Sequence, residues 1–258
     1  MVYEPRNYRS LHQEKDLHHF QVVLEETDLD IGINKELYTS ALPKKVELFL
    51  AEQREILKEY IKVHPAFLTT LVPWNAIDER DFGGETIPFA VDAMCVATRL
   101  VGVGPMAAVA GFFAEQVGLF LSRFSADVLV ENGGDIWLKS SCPRKVSIYA
   151  GNSPFSQRIG IEIKAEDTPL GICTSSGTVG HSLSFGQADA VVILAPSAVL
   201  ADAVATAACN LVQGEDALAK VVEWAVAIPG VLGAVAILGD KMAVQGKVEL
   251  IPLEEIQR

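Results

Sequence analysis

Positive charge is scarce in this chain. Lys and Arg number 21 against 33 Asp and Glu, for a net charge of −12. No run of basic residues stands out. Nucleic acid is therefore excluded as the main partner, because neutralising backbone phosphates supplies most of that affinity. An acidic surface keeps a protein in solution and draws cations. Cysteine is sparse as well. Cys95, Cys142, Cys173 and Cys209 lie far apart, and none forms a C-x-x-C pair. This excludes a zinc ribbon and a disulfide framework. Long apolar runs are missing too. The longest, "LVGVGPMAAVAGFFA" at 100–114, stops at Glu115 and Gln116. A membrane-spanning helix needs about 20 residues, so no membrane partner is expected. The opening "MVYEPRNYRSLHQEKDLHHF" has no apolar core and no cysteine to lipidate. A cytoplasmic chain is the expectation.

What is present is globular in kind. Half of the 258 residues are hydrophobic and 21% are charged. A folded chain of this size buries roughly 70–75% of its surface. "FQVVLEETDLDIGI" (20–33) reads as two strands about the polar turn Glu25–Asp28. In 44–63, Val46, Phe49, Leu50, Leu57, Tyr60 and Ile61 recur at helical spacing. A loop region follows to residue 88, then two apolar helices at 89–100 and 105–122. Strand patterns come next in "ADVLVENGGDIWLK", "KVSIYAG" and "RIGIEIKA". Residues 171–187, rich in Gly and Ser, read as a loop, and "ADAVVILAP" (188–196) as a buried strand. Helices at 198–211 and 215–226 and strands near 232–238 and 247–251 close the chain. Strands and helices come in groups and not in strict alternation, which predicts an α+β fold. No linker and no internal repeat divides the chain, so residues 1–258 are expected to form a single domain.

Three stretches carry chemistry. The first is "SAVLADAVATAACNL" (197–211), an apolar helix with Ser197 as N-cap. Asp202, Thr206 and Asn210 share one face at i, i+4, i+8, with Cys209 beside them. A buried carboxylate without a partner is costly. Asp202 therefore either bonds backbone amides of a neighbouring loop or holds a hard cation. Mg2+ takes few protein oxygens and keeps waters, which suits a carboxylate and a hydroxyl. The second stretch is "VENGGDIWL" (130–138), a hairpin whose Gly133 and Gly134 also admit a ligand against the backbone. The third is "CTSSGTVGHSLSFG" (173–186). Its amides and hydroxyls suit a phosphate, although the P-loop lysine pattern is missing. Within it, Cys173 as nucleophile with His181 as base is a further reading.

In this order, "VENGGDIWL", "CTSSG" and "VVILAPSAVLADAVATA" resemble the ApbE superfamily, which carries a G-G-D turn, a T-S-G loop and a strand followed by A-D-A-x-x-T. "GPMAAVAG" (104–111) sits where that family has D-x-G-A-x-x-K-G. The chain is most similar to a cytoplasmic branch marked by "VGPMAAVAG", "VENGGDI" and "TSSGTVGHSLSFG", and the resemblance covers about residues 20–251. It implies a duplicated T-fold, an α+β arrangement of mixed or antiparallel sheets with packed apolar helices. ApbE proteins bind FAD and Mg2+, and many transfer FMN onto a threonine of a partner protein. Carried over, the metal would fall to Asp202 and Thr206, with the backbone carbonyl of Ala107. A flavin (FAD or FMN), or another small phosphorylated ligand, would lie against Asn132, Gly133, Gly134 and Asp135 and against Thr174, Ser175, Ser176 and Gly177.

The departures are specific. The family lysine falls on Ala110 and the family's first acid on Gly104. The H-x-x-D-P-x-T-G segment is reduced to "GHSLSFG", with His181 as its remnant. These changes argue against FMN transfer. The resemblance leaves two other readings: a sulfur-assimilation protein acting toward homocysteine with Cys173 as the working thiol, or a non-catalytic subunit with a vestigial pocket. Homo-oligomerisation is left open.

Overall fold

The computed structural model describes residues 16–75, 87–178 and 185–253. The chain opens with a hairpin of β1 (Leu17–Leu24) and β2 (Thr27–Asn34), paired antiparallel through Leu24 and Thr27. Helix α1 (Leu42–Val63) buries Val46, Leu50, Leu57 and Tyr60, one face of the expected periodicity. The short α2 (Ala66–Thr69) follows. Then come α3 (Phe89–Val101), a 3-10 turn at Pro105–Ala108, and α4 (Val109–Leu121). Next are β3 (Val128–Asn132), β4 (Asp135–Lys139), β5 (Arg144–Ser147), β6 (Ile159–Ile163), β7 (Leu170–Ser175) and β8 (Ala190–Ala195). Helices α5 (Ala198–Leu211) and α6 (Leu218–Val226) precede β9 (Gly233–Leu238), β10 (Lys241–Gly246) and β11 (Leu250–Pro252).

Eight strands form one antiparallel sheet in the order β1-β2-β3-β4-β7-β8-β9-β10, and β11-β6-β5 form a second, smaller one. Successive strand residues face opposite sides, and this alternation sorts the apolar residues into two cores. Ile31, Val130, Trp137, Cys173, Val191 and Ile193 turn toward the helices. Leu138, Leu170, Ile172, Val192, Leu194 and Ile237 turn the other way, onto Val146, Ile148, Ile161 and Ile163 around the small sheet. The architecture is thus helices, large sheet, small sheet. Strand β8 lies inside the sheet, between β7 and β9, and is buried at every position, which is why "AVVILA" reads as an unbroken apolar run. Among the described residues no single helix is long and apolar enough to cross a membrane. Helix α3 and the segment Pro105–Leu121 would do so only as a pair, and they bend by 101°.

The α+β expectation holds, and α5 spans 198–211 as the sequence predicts. Two strands depart from the reading. The segment 171–187 is not all loop: residues 170–175 form β7, paired on both sides. Lys241–Gly246 is a strand at the sheet edge, mostly exposed and polar enough to hide its pattern.

Candidate functional site

Helix α5 starts directly behind β8. Ser197 accepts a hydrogen bond from the Leu200 N–H at 3.4 Å, as an N-cap should. A second cap comes from α4. One Glu115 oxygen, Oε2, accepts from the Ser197 hydroxyl at 2.9 Å, from Ala198 N at 2.6 Å and from Val199 N at 3.3 Å. The acid that ends the long apolar run is therefore a tertiary helix cap, a role the sequence reading missed. The available signal was a lone carboxylate in a mostly apolar helix.

One turn into α5, Asp202 reciprocates. Its Oδ2 accepts the Gly111 N–H at 2.8 Å, and the Ala110 N–H also favours its charged form. These are first-turn amides of α4, which no intrahelical carbonyl can reach. The two helices cap one another. The reading of Asp202 as an acid bonded to neighbouring amides is realised, with a helix N-terminus in place of a loop. Even so, burial outweighs these donors and pushes the Asp202 carboxyl up to about 7. Small residues make the approach possible. A Cβ on Gly111 would lie 2.2 Å from the Ala198 carbonyl oxygen, and one on Gly171 would lie 2.4 Å from the Ala198 Cα.

The hairpin is built as its sequence predicts. Asn132 pairs with Asp135, and Gly133 and Gly134 turn the chain with φ of 69° and 105°, values that glycine adopts without a side-chain penalty. The Asn132 side chain donates to the Ala110 carbonyl at 3.1 Å, tying the hairpin to the start of α4. A Cβ on Gly134 would sit 3.8 Å from the Thr174 carbonyl oxygen, so the turn lies beside the end of β7. Asp135, the first residue of β4, is buried. Its carboxyl is pushed well above the usual range by burial first, then by the charge of Asp202. Its Oδ1 has no hydrogen-bond partner among the described residues.

Four segments that are distant in sequence therefore meet: 104–111, 132–135, 173–177 and 202–206. The 3-10 turn that carries Ala107 packs on α5, with the Ala107 N–H bonded to the Gly104 carbonyl at 3.1 Å. Thr206 is half-buried, and its hydroxyl has no hydrogen-bond partner among the described residues. Further along the stripe, Asn210 Oδ1 accepts the Phe185 N–H at 2.8 Å. No group of three or more His, Cys, Asp or Glu residues is placed as a metal cage among the described residues. A donor set of carboxylate, hydroxyl and carbonyl is nonetheless what Mg2+ accepts, with waters completing its shell.

The glycine amides are less open than their sequence suggests. The Gly134 N–H is held by Glu131 Oε1 at 2.7 Å, and the Gly177 N–H by the Ala188 carbonyl at 2.9 Å. Ser176 Oγ accepts from Thr178 N at 3.1 Å and leans on the Ala188 carbonyl. Thr174 and Ser176 are half-buried and Ser175 is buried.

Cys173 does not fit a nucleophile. It is fully buried and lies 3.4 Å from the Ala198 carbonyl oxygen. Burial, then the charges of Asp135 and Asp202, push its thiol well up. A reactive cysteine needs partial exposure and positive surroundings, and this one has neither. His181, its suggested base, lies outside the described residues. The structure gives the sulfur-handling reading no support.

Over residues 9–244 the chain matches the model of a family described as "AbpE bacteria". It is 35% identical over 241 residues to a UPF0280 protein of Methanocaldococcus jannaschii, covering 91% of this chain and 93% of that one. A UPF0280 protein of Methanopyrus kandleri is 39% identical over 237 residues, with 90% and 91% covered. Among solved structures, the ApbE protein from Thermotoga maritima superposes with a TM-score of 0.53 at 13% identity, covering 89% of this chain and 96% of that one. The flavin transferase ApbE from Vibrio cholerae gives 0.50 at 15% identity, with 89% and 96% covered. At such identities the structural likeness establishes the fold alone, whereas the family match rests on nearly the whole length of the sequence. This chain belongs to the ApbE-like family, in the company of the UPF0280 proteins.

Proposed function

We propose that this chain binds Mg2+ through Asp202, Thr206 and the carbonyl of Ala107, and with it a flavin nucleotide or another phosphorylated ligand. The observation that carries the reading is the meeting of the four segments at two buried carboxylates beside a threonine hydroxyl that bonds none of the described residues. A cation there would relieve the repulsion between Asp135 and Asp202, and it would supply Lewis acidity toward a phosphate oxygen. The engaged amides of Gly134 and Gly177 sharpen the reading. With those donors occupied and acids on several sides, bare phosphate is repelled. The ligand is therefore expected to depend on the cation for entry, while Asn132–Asp135 and Thr174–Gly177 shape the surface it lies on.

The test is thermal unfolding with FAD, FMN and inorganic pyrophosphate, each with and without Mg2+. We expect a nucleotide-dependent rise in Tm only when Mg2+ is present. Equal shifts in EDTA, or no shift with any combination, would overturn the reading. Mass spectrometry of ligands released from native protein identifies what is bound.

A further inference from the structure

Asp135 poses a problem that the roles given so far leave open. Asp202 is accounted for by the two amides it caps. For Asp135 the Cys173 thiol and the Thr174 N–H favour the charged form, but one of its oxygens is left over. Only 7% of Asp135 is exposed, and its Oδ1 has no hydrogen-bond partner among the described residues. No Lys, Arg or His among the described residues pairs with either acid.

The register fixes where Asp135 points. In β4, Trp137 faces the helices, so Asp135, two residues earlier, faces them too. Antiparallel pairing of Ile136 with Ile172, continued by one residue, sets Asp135 beside Cys173. Cys173 faces the same layer and lies 3.4 Å from the carbonyl of Ala198, one turn before Asp202 on α5. Asp135 is thereby directed at the α5 face that carries Asp202, and the two charges act on each other directly. The Cys173 thiol and the Thr174 N–H favour its charged form, yet neither satisfies Oδ1. The Gly133–Gly134 turn pins the residue at the strand end, so its backbone cannot retreat toward solvent without breaking the Asn132–Asp135 pair.

We infer that Asp135 is a direct ligand of the same cation as Asp202, so that the site presents two carboxylates, one from the sheet and one from α5. The inference rests on the cation reading above and adds to it a ligand from the hairpin. Two carboxylates with the Thr206 hydroxyl and a backbone carbonyl form an all-oxygen set for a hard divalent ion. Two negative ligands balance the 2+ charge, leaving phosphate oxygens to replace bound waters.

The rival explanation is a permanently protonated Asp135, a neutral acid packed in the core. Asp135→Asn separates the two, because the amide copies the shape of the neutral acid and removes the anionic ligand. The experiment is calorimetric titration of wild type, Asp135→Asn and Asp202→Asn with Mg2+ alone, with Mn2+ titration followed by electron paramagnetic resonance. Circular dichroism and the Tm of the metal-free proteins establish that each variant is folded. We expect Asp135→Asn to weaken cation binding by at least roughly tenfold while its metal-free Tm equals or exceeds that of wild type. Should Asp135→Asn misfold, Asp135→Glu, which keeps the charge, replaces it; a shifted Mn2+ spectrum then supports direct ligation and an unchanged one opposes it. If wild type binds and Asp202→Asn loses binding while Asp135→Asn retains full affinity, this inference fails and the cation reading stands. If wild type binds neither ion, both fall.

Discussion

At the scale of single residues, the site turns on what a buried acid requires. Asp202 caps α4, and in the proposed function it would also hold a cation; its variants separate the two. Asp202→Asn keeps a carbonyl oxygen for the Gly111 amide but loses the charge. We expect strongly reduced Mg2+ binding with a fold close to wild type, and a milder loss for Thr206→Val, since one neutral ligand of several is removed. Isothermal calorimetry on the three proteins checks the order. The pH dependence follows from the same burial. The metal-free Asp202 carboxyl is raised to about 7, above its unfolded value. Its contribution to stability is therefore complete below about pH 4 and is lost as the pH climbs through 7. Mg2+, if bound as proposed, would take the ionised form and oppose that loss. The Tm increase caused by Mg2+ should grow between about pH 5 and pH 8, and a flat increase across that range would contradict the assignment. Cys173 offers a third test. Iodoacetamide should label it slowly in the native state, with an apparent pKa above the free-thiol value of about 8.5. The spacing of Asp202 and Thr206 was legible in the sequence because a helix repeats every few residues. The burial of Cys173 was not, because it depends on strands and a helix placed by distant parts of the chain.

At the scale of elements, the reciprocal capping of α4 and α5 holds the site together. Helix ends leave amides without partners, and here each helix lends a carboxylate to the other: Glu115 to α5 and Asp202 to α4. Glu115→Ala removes bonds to three groups at once. A cap of this kind contributes about 1–2 kcal/mol. We expect the urea midpoint to fall accordingly, and cation affinity to fall with it as α5 loses its fixed start. Glu115→Gln should recover part of both. Local signals explain which elements could be read in advance. Pro196 and Ser197 mark the start of α5, and an unbroken apolar run marks β8. The Gly-Gly turn announces its hairpin through its backbone needs. Strand β7 was hidden because "LGICTS" combines glycine, which weakens a strand locally, with small polar residues that also suit loops. It is a strand because β4 and β8 offer ladders on both sides. Gly171 is needed there because α5 passes too close for a side chain.

At the scale of the whole molecule, the question is whether an ApbE-like frame with these acids performs the reaction named for its structural neighbours. We predict that it does not transfer FMN to a protein threonine. Transfer requires the dinucleotide to be held with its pyrophosphate in line for attack, and the charge that develops there to be stabilised. Mg2+ at Asp202 and Thr206 would meet part of that need. By the motif resemblance, however, the family lysine would fall on Ala110, and the structure shows how Ala110 is engaged. The amide of Ala110 faces Asp202 and its carbonyl accepts from Asn132, so its backbone is committed to structure and its methyl group supplies no charge. The surroundings are acidic, with Glu131 holding the Gly134 amide and Asp135 close to Asp202. Negative charge building on a phosphate is therefore opposed wherever the cation does not reach it. Removing one such donor from an active site costs about 100- to 1000-fold in rate. Incubation with FAD, Mg2+ and an acceptor peptide, with mass detection of added FMN, should show no product above background. An active flavin transferase run alongside serves as the positive control. Ala110→Lys then provides the converse test. If the missing cation is the main deficit, that variant should gain measurable transfer. Wild-type turnover near that of the control would show that the acidic site stabilises the reaction by other means.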